Sequence, residues 1–258
     1  LIASKIAKSS FNAKKTICRL SDSSYITEKK LIDDFVDIPI SPENDITEHL
    51  FQLITHPGTN QIEDFADGKV KLVSVKAQKN GNLVGHELKV IRQDMPNIDT
   101  FVPIIYRKGK PIKAKGSTII KENDEIYFIT AAENIDEVVN EVQEKSERFS
   151  RVFIIGGGKI GFNLAKQLEN KFNVKVVERD KGRCKFLSEE LNKAIVLHGS
   201  GSDESLLISE NISQTDVFCS LTNDDEANIM SAFLAKKLGA KKTTVSYTHL
   251  TLPTRAQV

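Results

Sequence analysis

The most constraining feature of this sequence is an apolar strand that runs directly into a glycine-rich turn. Residues 152–155 read Val-Phe-Ile-Ile, and Gly156, Gly158 and Gly161 follow in the spacing G-x-G-x-x-G. A helical pattern comes next, and then a second apolar strand that ends on Glu178. This acid lies about 20 residues past the first glycine, where a dinucleotide-binding βαβ unit places its ribose-binding carboxylate. The order strand, glycine turn, helix, strand and acid therefore predicts an α/β fold with a doubly wound parallel Rossmann sheet.

The glycines and the acid of this unit each have a distinct expected role. Gly156 lets the chain turn sharply, Gly158 lets backbone approach a pyrophosphate, and Gly161 lets the helix pack closely on the sheet. The helix N-terminus offers N–H groups and a partial positive charge to the phosphates. We expect Glu178 to bind the adenosine ribose and to repel a 2′-phosphate, which predicts NAD(H), or an adenine nucleotide, rather than NADP as the ligand. The alternative is a Rossmann-like domain that binds nothing.

Charge and composition exclude several classes of protein. The 258 residues include 36 basic and 35 acidic side chains, for a net charge of +1, and no basic run suggests a nucleic-acid surface. The apolar stretches are strand-sized, well short of the roughly 20 residues that span a bilayer. Cys18, Cys184 and Cys219 have no metal-ligand or disulfide spacing. We therefore expect a soluble protein of a reducing compartment.

Two segments of the chain resemble each other. Residues 6–17 (IAKSSFNAKKTI) and residues 234–245 (LAKKLGAKKTTV) both read as the end of a helix, a turn and the same Ala-Lys-Lys-Thr entry into a strand. Duplication explains this pattern better than chance. The chain is therefore expected to be a fragment that opens inside one Rossmann lobe and closes inside a second.

The pattern of predicted secondary structure changes between these two lobes. Residues 61–143 read as short strands and turns with a final helix, which predicts a small α+β module without a catalytic cluster. Residues 144–150 read as a charged linker. Residues 247–258 break the pattern of the second lobe, and we interpret them as a non-native tail.

Four motifs carry a resemblance to a known family. They are Gly-Gly-Gly-Lys-Ile-Gly at 156–161, Val-Glu-Arg-Asp at 177–180 with Arg183, His-Gly-Ser-Gly-Ser-Asp at 198–203, and Leu-Thr-Asn-Asp-Asp-Glu-Ala-Asn-Ile-Met at 221–230. With them the chain resembles the TrkA family, the peripheral NAD-binding subunits of bacterial Trk potassium uptake systems, built from two tandem RCK-type halves. The resemblance spans nearly the whole chain apart from the tail, and Asn-Asp-Glu at 123–125 is similar to the strand entry of the family's C-terminal RCK subdomain.

The resemblance implies a domain order and a function. Residues 1–60 would be the C-terminal part of a first RCK N domain, 61–143 an RCK C subdomain, and 151–246 a second, truncated RCK N domain. The protein would be a ring-forming homo-oligomer, cytoplasmic and peripheral on the inner face of the membrane, that gates a potassium-translocating membrane subunit. NAD(H), or ATP/ADP, would shift the conformation of the ring by differential binding, without chemistry.

The resemblance also implies which residues bind the nucleotide. The phosphate loop would comprise Gly156, Gly158, Lys159, Ile160 and Gly161. Ribose recognition would fall on Glu178, with Asp180 and Arg183 nearby, the turn Gly199-Ser200 would lie near the adenine, and Thr222 and Asn223 at the crevice. The family usually has Gly-Asp at 199–200, so the adenine contacts of this loop are in question, because Ser200 cannot supply a carboxylate.

Two other functions stay open. An NAD-dependent oxidoreductase needs a proton-transfer residue and a substrate pocket, normally after the Rossmann unit, where little sequence follows here. Tyr25 and Lys29 have the Tyr-x-x-x-Lys spacing but precede the glycine turn, and His198 reads as a turn residue. The acids at 224–226 are explained by a helix N-terminus. We therefore predict no catalytic residue and no metal site. The third possibility is an RCK-type regulator of another cation channel or exporter.

Overall fold

The computed structural model describes residues 1–20, 32, 34–66, 68–91, 98–144 and 148–246. The chain forms two compact units, one from residues 1–50 together with 150–258 and the other from residues 51–149. The Tyr25 and Lys29 pair, the predicted tail at 247–258 and residues 145–147 of the predicted linker lie outside the described residues. No helix in the described part is long and apolar enough to cross a bilayer.

The first segment contains a helix and a pair of short parallel strands. Helix α1 (Ile2–Phe11) precedes strands β1 (Ile17–Arg19) and β2 (Ile38–Ile40), which pair in parallel, and α2 (Pro42–Thr55) follows. The chain leaves α1 through Asn12, which has a left-handed conformation with φ 49°. Gly239, with φ 104°, holds the same place before the second Ala-Lys-Lys-Thr. The two similar segments therefore end their helices in the same way.

Residues 51–149 form an antiparallel sheet with a helix packed against it. The sheet order is β3-β4-β7-β5-β6, formed by Thr59–Phe65, Val70–Lys76, Glu125–Ala131, Thr100–Arg107 and Lys110–Lys113 respectively. Helix α3 (Ile135–Val142) buries Ile135, Val138, Val139 and Val142, the spacing of one helical face. This is the predicted α+β architecture.

Two details of this unit differ from the sequence-based expectation. Strand β3 was not predicted, because it lies at the edge of the sheet and buries only Thr59 and Ile62, so its alternation is weak. The pattern of residues 85–91 predicts a short helix, and within these residues the structure has a 3₁₀ helix at Leu88–Val90.

The second half of the other unit is a parallel sheet. Its elements are β8 (Arg151–Ile155), α4 (Lys159–Leu168), β9 (Asn173–Glu178), α5 (Lys181–Glu190), β10 (Ile195–His198), α6 (Glu204–Ser209), β11 (Val217–Ser220), α7 (Asp225–Lys237) and β12 (Lys242–Val245). All strand pairs are parallel, and the order is β10-β9-β8-β11-β12. The predicted doubly wound α/β fold is confirmed. Strand order reverses between β8 and β11, so a crevice opens where their carboxyl ends diverge.

The helices of this sheet begin with side-chain caps at three of four positions. Asp180, Asp203 and Asp224 precede α5, α6 and α7, and each carboxylate accepts a hydrogen bond from a backbone N–H in the first turn. The acids at the start of α7 are thus explained by capping, as the sequence suggested. Helix α4 differs, because its N-cap residue is Gly158, which has no side chain.

Glu169, a buried residue just after α4, holds the loop between α5 and β10 in place. One of its carboxylate oxygens accepts hydrogen bonds from the backbone N–H groups of Asn192, Lys193 and Ala194 at 2.9, 2.8 and 3.1 Å. The side chain is 4% exposed. Burial by itself raises the pKa of Glu169, but the three N–H donors outweigh it and hold that pKa below its ordinary value.

We predict that Glu169→Gln lowers the midpoint of thermal unfolding near pH 7 by about 2–4 °C, the shift expected for roughly 1 kcal/mol in a chain of this size. A depressed folded-state pKa stabilises the protein above the unfolded pKa of about 4.3, and this contribution disappears as the pH falls through the folded value. The difference between variant and wild type should therefore narrow as the pH falls below 5.

Glu190→Gln is the matched control, because Glu190 is half exposed and makes only a loose 3.7 Å pair with Lys166. Scanning calorimetry across pH measures both variants. Equal midpoints for Glu169→Gln and Glu190→Gln at every pH would show that the three backbone bonds do not stabilise the lobe.

Candidate functional site

A cavity of about 310 Å³ opens at the carboxyl ends of β8, β9, β10 and β11. Its walls come from the glycine turn, the ends of the strands and the start of α7. The lining residues are Ile155, Gly156, Gly158, Val177, Glu178, Arg179, Gly199, Gly201, Ser202, Leu221, Thr222, Asn223, Asp224, Ala227 and Ser231. The location is the crevice at which an open parallel sheet binds its ligands.

The glycine turn is fixed by close backbone packing. Gly156 has φ 98°, and a Cβ there would lie 2.9 Å from the carbonyl oxygen of Leu221. A Cβ at Gly161 would lie 1.9 Å from the carbonyl oxygen of Gly156. Both positions therefore exclude a side chain because of the fold itself.

Gly158 is different, because neither its backbone nor its surroundings require a glycine. Its φ of −64° suits any residue. A Cβ built on it meets nothing within 4 Å. Gly158 is exposed and lines the cavity. Lys159, Ile160 and Gly161 form the first turn of α4 directly behind it, so the helix N-terminus is presented to the cavity.

Glu178, at the end of β9, is held in the cavity by three backbone donors. Its Oε2 accepts from the N–H of Gly157 at 2.8 Å. Its Oε1 accepts from the N–H groups of Arg179 and Asp180 at 2.6 and 2.9 Å. The carboxylate thus joins the end of β9 to the glycine turn, and its remaining lone pairs face a cavity in which ribose hydroxyls could donate.

Arg179 brings a positive charge to the rim of the same cavity. Its Nε and Nη2 donate to the Ser200 hydroxyl oxygen at 3.2 and 2.8 Å. That hydroxyl also accepts from the N–H of Ser202 at 3.2 Å. No carboxylate of the described residues forms a salt bridge with Arg179, so the turn at Ser200 holds the guanidinium through a neutral partner.

Asp180 and Arg183 lie behind the cavity wall rather than on it. The carboxylate of Asp180 caps α5 by accepting from the N–H of Arg183 at 2.6 Å. Arg183 donates from Nε to the carbonyl oxygen of Gly157 at 2.7 Å. Its guanidinium carbon lies 4.4 Å from the ring centroid of Phe186. Arg183 therefore braces the glycine turn from outside.

The far wall of the cavity follows β11. Thr222 and Asn223 lie in the turn between β11 and α7, and both line the cavity. Asp224 lines it as well and caps α7 by accepting from the N–H of Ala227 at 2.9 Å. Ser231, one turn further along α7, completes this wall.

The titratable groups near the cavity have structural partners. His198 Nε2 lies 3.0 Å from the carbonyl oxygen of Arg179, which agrees with a role in the turn. Burial, together with the charges of Glu178 and Asp180, raises the pKa of the Cys184 thiol. Burial alone raises the pKa of Cys219 to about 12. Across the described ranges there is no group of three or more His, Cys, Asp or Glu side chains that could hold a metal ion.

Half of the predicted binding residues line one cavity. These are Gly156, Gly158, Glu178, Gly199, Thr222 and Asn223, whereas Lys159, Ile160, Gly161, Asp180, Arg183 and Ser200 are not among its lining residues. Sequence reasoning did not single out Arg179 or Ser231 as lining residues. Arg179 lies just beyond a strand end, and this position could have indicated that it lines the cavity. Ser231 lies four residues after Ala227, so the two residues share one face of a helix, and this spacing could have indicated Ser231.

Comparison with protein families gives two domain matches. The TrkA-C domain matches residues 72–143, and the TrkA-N domain matches residues 152–251. The Trk system potassium uptake protein TrkA of Halomonas elongata is 46% identical over 245 residues, which cover 94% of this chain and 54% of the relative. The protein of the same name from Haemophilus influenzae is 45% identical over 249 residues, covering 95% and 54%. The chain thus spans about half the length of the curated relatives it matches.

Solved structures show the same fold at low sequence identity. The crystal structure of the GsuK RCK domain aligns with a TM-score of 0.57 at 14% identity, covering 90% of this chain and 53% of that one. The GsuK channel bound to NAD aligns with a TM-score of 0.55 at 16% identity, covering 90% and 44%. The chain therefore has a TrkA-C domain followed by a TrkA-N domain, and it is similar to the TrkA relatives along nearly its whole length.

Proposed function

We propose that this chain is a nucleotide-sensing, regulatory part of a Trk-type potassium uptake system. NAD(H), or an adenine nucleotide such as ATP or ADP, binds in the cavity of residues 151–246 and is not chemically changed. The binding state acts on a potassium-translocating membrane protein, and the chain works on the cytoplasmic face of that partner as a ring-forming homo-oligomer. The names of the TrkA relatives and the NAD-bound GsuK channel support this assignment.

The observation that carries the proposal is the space left at Gly158. Backbone contacts account for Gly156 and Gly161, whereas a Cβ at Gly158 would meet nothing within 4 Å. A glycine at this position also lets another group approach the backbone closely from the cavity. A pyrophosphate has the size and charge for that approach, because the uncapped N-terminus of α4 is directed at the same point.

Glu178 favours an adenosine ribose with free hydroxyls. The carboxylate is fixed by three backbone N–H groups and cannot swing away to make room for an anion. A 2′-phosphate would meet this fixed charge, whereas ribose hydroxyls would donate to it. These contacts support NAD(H) rather than NADP(H) as the dinucleotide.

Regulation by such a site requires only differential binding. A nucleotide that fits one arrangement of the assembly better than another shifts the population toward that arrangement, by at most its difference in binding free energy between the two. No group near the cavity has the arrangement of a nucleophile with an adjacent base among the described residues. The proposed mechanism therefore assigns no residue a catalytic role.

Calorimetric titration of the purified chain tests the proposal directly. NADH, NAD, ATP, ADP and NADPH are compared, and mass spectrometry of the recovered nucleotides detects turnover. We expect saturable binding of at least one of the first four ligands, weaker binding of NADPH and no chemical change. Turnover with a cosubstrate would indicate an oxidoreductase, and a complete lack of binding would leave a Rossmann-shaped scaffold.

We predict that Gly158→Val weakens nucleotide binding in a protein that still folds. The branched side chain would take up space that a phosphate must enter, so affinity should fall by roughly tenfold or more. Calorimetry measures the affinity and the thermal midpoint measures stability. Gly116→Val is the matched control. Gly116 lies in the unit of residues 51–149, not in the unit that contains the cavity, and the nearest atom to a Cβ built there is a side-chain carbon of Lys89 at 3.6 Å. Normal binding by Gly158→Val would remove the glycine turn from the ligand site.

We predict that Glu178→Arg weakens NADH binding by roughly tenfold or more and leaves the fold intact, because it removes the ribose acceptor. Glu189→Arg provides the same charge reversal on α5, at a side chain that is 64% exposed and pairs loosely with Lys185 at 3.9 Å. This control should bind NADH normally in the same titration. If the two variants bound NADH equally well, Glu178 would have no role in ribose recognition.

A further inference from the structure

Asn228 lies at the centre of a buried hydrogen-bond network beside the cavity. The residue is fully buried in the first turns of α7. Its Oδ1 accepts from the N–H of Thr222 at 2.9 Å, from the Thr222 hydroxyl at 2.6 Å and from the Ser220 hydroxyl at 3.0 Å. Its Nδ2 donates to the carbonyl oxygens of Thr222 at 2.8 Å and Ser246 at 3.1 Å. The side chain therefore makes five hydrogen bonds to three residues.

The orientation of this amide is fixed by backbone groups. A backbone N–H only donates and a carbonyl oxygen only accepts, so the contacts with Thr222 and Ser246 allow one placement of Oδ1 and Nδ2. An aspartate of the same shape could not donate to either carbonyl, and a hydroxyl side chain is too short to span both sides. An amide of this length is required here by the chemistry of the contacts.

The side-chain amide of Asn228 forms hydrogen bonds just beyond the point where the backbone pairing of β11 and β12 ends. Strands β11 and β12 pair up to Ser220 and Val245, and the N–H of Ser246 donates to the carbonyl oxygen of Ser220 at 3.0 Å. Beyond this point the chain after β11 turns away toward the cavity. Asn228 bridges Thr222 and Ser246 across the gap, as a peptide group of a further residue pair would.

We infer that Asn228 is a positioning residue for the half of the cavity that takes the second nucleoside of a dinucleotide. The inference rests on the proposed function. Glu178 places the adenosine over β9, and the glycine turn places the phosphates between β8 and β11, so the rest of a dinucleotide extends along Thr222. Asn228 contacts no ligand position itself. It holds both backbone groups of Thr222 and thereby fixes the shape of this wall.

The variants Asn228→Asp and Asn228→Ala test this positioning role through the ratio of the NADH affinity to the ADP affinity. NADH would contact the Thr222 wall, whereas ADP ends at the glycine turn and would not. We expect both variants to lower the affinity for NADH relative to ADP by roughly tenfold, with ADP affinity changed less than about twofold. If Asn228 had a purely structural role, the variants would lower the affinities for NADH and ADP by the same factor or would change neither affinity. Calorimetric titration of the whole chain measures the two affinities.

Ser220→Ala is the matched control from the same network. The Ser220 hydroxyl bonds to the same Oδ1 and to the Ser231 hydroxyl at 2.8 Å, but Ser220 is fully buried and does not line the cavity. Its thermal midpoint should fall while the ratio of NADH to ADP affinity stays at the wild-type value. An equal change of the ratio in Ser220→Ala would contradict a specific role of Asn228.

If the Asn228 variants do not fold, hydrogen exchange of the Thr222 backbone amide in the wild-type chain tests the same inference. The Thr222 amide should be protected, and NADH should increase this protection more than ADP. A Thr222 amide that exchanges like an open loop would overturn the inference. If wild-type protein bound neither nucleotide, the proposed function would fail and the inference with it. Binding of both with an unchanged ratio in the variants would refute the inference alone.

Discussion

The close contact between the start of α4 and the end of β8 is the constraint on which the rest of the candidate site depends. Gly161 packs so tightly on Gly156 that a Cβ at Gly161 would lie 1.9 Å from its carbonyl oxygen. This contact brings the N-terminus of α4 to the carboxyl edge of the sheet, where strand order reverses between β8 and β11. A wider turn would move the helix N-terminus away from the crevice, and the cavity would lose its source of N–H groups and positive potential.

The residues around this turn are held by hydrogen bonds within the protein. Glu178 accepts from the N–H of Gly157, and Arg183 donates to the carbonyl oxygen of the same residue from the opposite side. Both backbone groups of Gly157 are therefore held by side chains from β9 and α5. A binding surface that is held by such contacts loses less conformational entropy when a ligand binds. The same reasoning applies across the cavity, where Asn228 holds the backbone of Thr222.

Sequence reasoning identified the parts of the fold whose signal is local. The glycine turn, the strands on either side of it and the helix start at residues 224–226 depend on neighbouring residues, and the structure has all of them. Strand β3 could not be predicted, because an edge strand buries few side chains and therefore shows little alternation of apolar and polar residues. Within residues 85–91 the structure has a 3₁₀ helix at Leu88–Val90, next to an isolated β-bridge between Glu87 and Ile119.

The order of the elements, the position of the glycine turn and the acid at the end of β9 can all be predicted from the residues alone, because they follow from spacing along the chain. Which distant polar groups meet depends instead on the three-dimensional fold. Arg179 meets Ser200 because β9 and β10 are neighbours in the sheet, and Asn228 meets Ser246 because α7 lies over the ends of β11 and β12. Such contacts depend on strand order and on the exact rotation of a helix, and neither is encoded in the residues between the partners.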